Sequence, residues 1–182
     1  MKKTGRVVSE IRRVLRSRSN TARAKKESRY FKTGKGMYAE GDQFLGVDAK
    51  GCLAVAKKYN PKLSFTNLTE LLHSPIHEER MVALRVLRQR YPRATKTEQC
   101  RIYQFYLNHL TGINNWDLVD VSASAIIGEH LLRQSRRQLY RLAASPSLWR
   151  RRIAIVATYA FIREDEFTDT LANRGNTDER YP

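Results

Sequence analysis

Two stretches of this chain align on each other without a gap. LLHSPIHEERMVALRVL (71–87) matches LAASPSLWRRRIAIVAT (142–158), with Leu71/Leu142, Ser74/Ser145, Pro75/Pro146, Arg80/Arg151 and Ala83/Ala154 identical and the apolar register kept throughout. The offset is 71 residues, two units of about 35, a period that belongs to stacked pairs of helices. A middle unit then starts its second helix at Trp116. Strand patterning is nearly absent. Helical periodicity predicts helices near 5–17, 20–32, 49–59, 65–73, 77–91, 97–110, 115–133, 135–144 and 147–163. Short punctuators separate them: Ser-Pro at 74–75 and 145–146, Tyr-Pro-Arg at 91–93, and Gly-Ile-Asn-Asn at 112–115.

The architecture this predicts is all-α: a HEAT-like repeat α-solenoid, a superhelix of antiparallel helix pairs. A single domain is expected over 1–172, followed by a polar, aperiodic and loose tail, NRGNTDERYP, at 173–182. The second helix of each pair lines the concave surface of such a fold. The helix starts near 77, 115 and 147 therefore come side by side, and they read IHEER, NNWDLVD and SLWRRR.

Charge narrows the partner. Across 182 residues, 34 Lys and Arg stand against 18 Asp and Glu, a net +16. Residues 1–36 alone hold thirteen Lys or Arg against Glu10 and Glu27, an excess of +11. A basic surface on this scale points to a polyanion, with nucleic acid first. Cys52 and Cys100 lie far apart in no metal-type spacing, which fits small core thiols in a reducing compartment. The longest apolar run, IAIVATYAFI (153–162), is too short for a membrane span, which needs about 20 residues. A soluble cytoplasmic protein with no membrane partner is expected.

Several chemistries are excluded. GKGMYAEG (34–41) is followed by Asp42-Gln43 in place of Lys-Ser/Thr, and no strand precedes it, so it is a structural loop and no phosphate cradle. Pro75 separates His73 from His77, and HEER is not HExxH. His109 and His130 have no carboxylate or thiol at ligand spacing, so neither a metal site nor a cofactor is expected.

NNWDLVD (114–120) is the most informative stretch. With Asn114 as N-cap, Asp117 falls in the first helical turn, where free backbone N–H groups and the helix dipole suit a carboxylate. Asp120 lies beyond capping reach, among Leu118, Val119, Val121, Ala123, Ala125, Ile126 and Ile127. Trp116, Asp120 and Ser124, at i, i+4 and i+8, form one column. A carboxylate there needs either a partner or an open groove. One reading is a salt bridge to Arg151 or Arg152 of the next repeat with Trp116 as packing anchor, and the other is a catalytic carboxylate. SLWRRRIAIVA (147–157) repeats the pattern with the opposite charge: Trp149 at the helix start, then Arg150, Arg151 and Arg152. Three arginines at a helix N-terminus oppose the dipole, and phosphate contact is the stronger explanation than a solvated face.

Through these residues the sequence resembles the AlkD-type DNA glycosylases of the DNA alkylation repair family, which are HEAT-like. SRYFKTGKGMYAEGDQFLGV (28–47) resembles the family's N-terminal signature, NNWDLVD its Trp-Asp stretch and SLWRRRIAI its W-x-x-R repeat. The resemblance implies hydrolysis of the N-glycosidic bond of cationic N3- and N7-alkylated purines in double-stranded DNA. It makes Asp120 the essential carboxylate, Trp116 its aromatic partner, Arg152 the arginine of W-x-x-R, and Tyr30 an aromatic near the lesion. DNA contacts are expected from Arg150, Arg151, Arg152, Trp149 and Tyr30. Such enzymes resemble an exception to base extrusion, reading the lesion from the backbone side.

The family carries a further tryptophan-bearing repeat, and this sequence has no tryptophan after Trp149. DAKGCLAVAKKY (48–59) also departs from the family's pattern. A solenoid short at its C-terminus exposes an apolar helix face, so self-association through that face is expected. The alternative to an enzyme is a non-catalytic HEAT-like DNA-binding scaffold. A HEAT adaptor for proteins is the third class, and its groove would not need this many arginines.

Overall fold

The computed structural model describes residues 2–172, with side chains from residue 5 onward. Among the described residues the regular structure is helical, and one isolated parallel bridge, Gln43 to Ile76, takes the place of any sheet. The expected tail at 173–182 lies outside them. The chain divides into two compact units, one running to Val86 and including Thr111–Asn115, the other holding Leu87–Leu110 and the chain from Trp116 onward.

In the first unit, α1 (Lys2–Arg16) buries Val8, Ile11 and Leu15, one stripe at helical spacing, while Arg13 and Arg16 stay in solvent. The helix packs on α3 (Ala49–Tyr59) and α4 (Phe65–Leu72). Each of the latter begins on a capping side chain: Asp48 accepts from Gly51 N at 2.7 Å, and Ser64 and Asn67 form a capping box. Between α1 and α3 lies α2 (Thr21–Tyr30), capped by Asn20 and without a buried residue. A loop secures it: Gly46, at φ +77°, passes so close that a Cβ there would sit 2.3 Å from the Asn20 carbonyl oxygen. Only glycine meets both demands. The loop is in turn held by α5 (His77–Arg90), whose Glu78 carboxylate accepts from the backbone N–H groups of Leu45, Gly46 and Val47 at 2.9, 2.7 and 3.2 Å. The last turn of α5 belongs to the second unit.

The second unit contains α6 (Lys96–Asn108), α7 (Trp116–Ala123), α8 (Glu129–Leu131), α9 (Arg137–Ala143), α10 (Leu148–Ala157) and α11 (Tyr159–Ile162). α10 packs against both α7 and α9, burying Ile153, Ala154, Val156 and Ala157. At about 1.5–3 kcal/mol for each large apolar side chain removed from water, this interface is a principal source of the unit's stability. Two expected helices are interrupted. The one over 115–133 contains a π-helical turn, Ser124–Gly128, between α7 and α8. Gly128 lies against α10, where a Cβ would come within 2.2 Å of the Ala157 carbonyl oxygen. The one over 147–163 breaks at buried Thr158, whose Oγ1 donates to Ile155 O at 2.7 Å.

The internal repeat extends to individual hydrogen bonds. Arg80 Nη1 donates to Ser74 O at 2.8 Å, and Ile76 N donates to Ser74 Oγ at 3.1 Å. Seventy-one residues later, Arg151 Nη1 donates to Ser145 O at 3.0 Å, and Ser147 N to Ser145 Oγ at 3.2 Å. The matched Ser, Pro and Arg build one turn twice, in which a buried guanidinium satisfies carbonyls that the Ser-Pro corner leaves without a helical partner.

Candidate functional site

α7 presents one buried face and one more open one. Leu118, Val119, Ser122 and Ala123 are buried, with Ser122 Oγ meeting the Tyr106 hydroxyl of α6 at 2.9 Å. The open face is the column Trp116, Asp120, Ser124. Asp120 leaves 41% of its side chain in solvent, and Trp116 is half-buried. The helix thus holds a carboxylate at an open surface, so its charge is not stranded in the core.

Asp120 has a defined partner. Arg152 of α10 grips it with two parallel bonds, Nε to Oδ1 at 3.0 Å and Nη2 to Oδ2 at 2.8 Å. The salt bridge that the residue pattern admitted is present between α7 and α10, and it is made by Arg152. Arg152 is itself 39% exposed on its side chain. Ion pairs this open contribute roughly 0–1 kcal/mol, with two-point geometry at the upper end, so a competing anion can divide this one at small cost. One turn further along, Arg163 Nη1 donates to Ser124 Oγ at 3.4 Å while its Nη2 pairs with Glu129. Arginines later in the chain therefore neutralise Asp120 of α7 and Glu129 of α8.

Arg151 corrects the expectation of three DNA-facing arginines. It is 8% exposed, and its Nη1 is bound to the carbonyls of Ser145 and Pro146 at 3.0 and 2.9 Å. Its alignment with Arg80 is the reason: this is the arginine that braces the repeated turn. Arg150 is exposed, and Trp149 is half-buried. Tyr30 belongs to the first unit, 65% exposed, with its ring edge-on to Phe31 at 5.3 Å.

Asn114 is a second correction. α7 begins at Trp116, so Asn115 takes the position before it, and Asn114 Nδ2 instead donates to Asp42 Oδ1 at 3.0 Å. Asp42 is the centre of a buried hub, with Arg80 Nη2 at 2.6 Å and His77 Nδ1 at 3.7 Å from its other oxygen. Burial pushes this carboxyl up, but His77, Arg80 and the Asn114 amide outweigh burial and hold it below the usual carboxylate range. The His77 ring completes a stack with Phe44 (4.5 Å) and Phe31 (5.2 Å). The glycine-rich loop is thus structural, as its sequence implies, yet the hub itself was not visible there. Asp42 and Arg80 are 38 residues apart, and no spacing rule joins them.

Beside Asp120 the second unit opens into a groove of about 1000 Å³. One wall is an aromatic cluster in which the Tyr91 hydroxyl meets His130 Nδ1 at 3.0 Å and Tyr103 stacks on the imidazole at 3.9 Å. Burial, and then the nearby Lys96 charge, push the His130 pKa down, so the ring is neutral at pH 7. Among the described residues no group of three or more His, Cys, Asp or Glu is placed to hold a metal ion. None of the described helices is long and apolar enough to cross a membrane.

The described residues are helical, and a half-buried Trp116 and an exposed Asp120 share one face of α7 with Arg152 of α10 on the carboxylate. Residues 11–177 fit the family described as DNA alkylation repair enzyme, and the chain belongs to that family. Its general role is DNA alkylation repair. No individual curated protein matches the sequence.

Proposed function

We propose that the protein is a DNA glycosylase of HEAT-like repeat architecture that hydrolyses the N-glycosidic bond of cationic N3- or N7-alkylated purines in duplex DNA. The observation that carries this reading is Asp120: an exposed carboxylate on a helix whose other residues are buried or half-buried, held by a displaceable arginine. A cationic alkylpurine is already a good leaving group and needs no acid to protonate it. What the reaction lacks is negative charge where the deoxyribose becomes oxocarbenium-like, and a fixed carboxylate supplies that while orienting the attacking water. Trp116, one turn earlier on the same face, packs on the sugar and favours the cation through its ring face. Arg152 has the geometry to exchange one anion for another, moving a guanidinium edge from Asp120 to a backbone phosphate. Arg150 adds positive charge on the same helix, and Trp149 and Tyr30 serve as further contacts to the nucleic acid.

The same pair favours a second reading. In the free protein Arg152 already neutralises Asp120, which suits a DNA-binding scaffold that performs no chemistry. Incubation with N7-methylated duplex DNA separates the two. The glycosylase releases N7-methylguanine and leaves abasic sites. A scaffold binds the duplex with a steep salt dependence and releases nothing.

A further inference from the structure

The groove beside Asp120 is lined by the last turn of α5 and the segment after it, by the start of α6, by α7 and α8, by the turn after α8, and by the two ends of α11. Cations stand at several of these places. Arg88, Lys96 and Arg133 line the groove and all three are exposed. Among the described residues no carboxylate lies within ion-pair distance of any of them. The acidic residues of the groove are differently placed. Asp120 and Glu129 are each bound by an arginine, which leaves Glu164 as the one other carboxylate among the described residues of the wall. The groove therefore has a net positive character, with Tyr159, 57% exposed, as an aromatic surface along it.

We infer that this groove is a subsite for the sugar–phosphate backbone of the DNA flanking the nucleotide at Asp120, with Arg88, Lys96 and Arg133 holding its phosphates. The inference rests on the DNA-binding reading above and names residues that neither the Trp-Asp column nor the W-x-x-R arginine includes. Three exposed cations spread along the wall, Arg88 near the end of α5, Lys96 at the start of α6 and Arg133 just after α8, suit a ligand that carries several charges, which a backbone does and a single small anion does not. Size argues the same way. A pocket for one extruded base is snug, whereas about 1000 Å³ is several times the volume of a base. Asp120 lines the groove, so a strand lying in it is continuous with the reacting nucleotide.

The test combines affinity with trapping. In the R88A/K96A/R133A variant the slope of log affinity against log salt for a duplex falls in magnitude by about 2.7, roughly 0.9 for each phosphate no longer neutralised. Affinity near physiological salt falls roughly tenfold or more, while thermal unfolding matches wild type because all three side chains are exposed. Cys100 supplies the second readout, being an exposed thiol in the same groove while Cys52 is buried. A duplex carrying an activated mixed disulfide on a nucleotide flanking the lesion exchanges with Cys100 and forms a cross-link, and Cys100→Ser abolishes it. A wild-type protein that binds DNA normally, with an unchanged slope in the triple variant and no cross-link at any tether position, overturns the groove assignment and leaves the glycosylase reading intact. A wild-type protein without salt-dependent DNA binding overturns both.

Discussion

Three adjacent arginines at the start of α10 have separate fates. Arg150 points to solvent, Arg151 is buried under the Ser-Pro turn, and Arg152 holds Asp120. The substitutions should separate accordingly. Arg151→Ala leaves the buried Ser145 carbonyl and the part-buried Pro146 carbonyl without their donor and should cost about 1–3 kcal/mol of stability, seen as a lower unfolding midpoint with the salt dependence of DNA binding unchanged. Arg150→Ala should do the reverse, lowering the salt slope by about 0.9 at constant thermal stability if it neutralises one phosphate. The identity Arg80/Arg151 in the internal alignment already marked this residue as part of the repeat. The run of three hid it, because neighbouring like charges look alike until the helix assigns each to a different face. Asp120 was legible because a lone carboxylate amid apolar residues is costly to place anywhere but at an opening. Its partnership with Arg152 was legible only as one of two arginines, since i and i+1 on a helix differ by a rotation that sequence alone does not anchor.

Among the helices, those of the first unit follow from capping residues and periodicity that sequence displays: Asp48, Ser64 and the apolar stripe of α1. The interruptions were not legible. The π turn at Ser124–Gly128 occurs where Gly128 meets the α10 backbone, and the break at Thr158 depends on where its hydroxyl finds a carbonyl. The first is a consequence of packing between helices distant in sequence, and the second of a hydroxyl turning back on its own helix three residues earlier. Gly128→Ala tests this. The added methyl meets the Ala157 carbonyl, a backbone atom that cannot rotate away, so we expect a loss of about 1–3 kcal/mol, read as a fall of several degrees in Tm. An unaltered Tm would show that α10 shifts freely and that the α7–α10 interface does not fix the Asp120–Arg152 distance.

For the chain taken together, composition was the most legible property: a net +16 led to a polyanion before any residue was singled out. Stability against pH carries a separate signature from two groups. The lowered Asp42 carboxyl contributes stability that is present above its unfolded value near 3.9 and lost as pH falls through the folded one. His130, also lowered, resists protonation in the fold, so its contribution is full above about 6.5 and declines as pH falls toward the folded value. Unfolding midpoints should therefore fall on the acid side in two stages, with His130→Gln removing the upper and Asp42→Asn the lower. The central claim is narrower than any of these: the carboxylate of Asp120 stabilises the sugar cation as an alkylpurine departs. Single-turnover release of N7-methylguanine from saturating methylated duplex, compared between wild type and Asp120→Asn, tests it most directly. The account predicts that duplex affinity is retained while the release rate falls roughly 10²–10³-fold, the scale of removing one fixed charge-stabilising group. Equal release rates for the two proteins would contradict it.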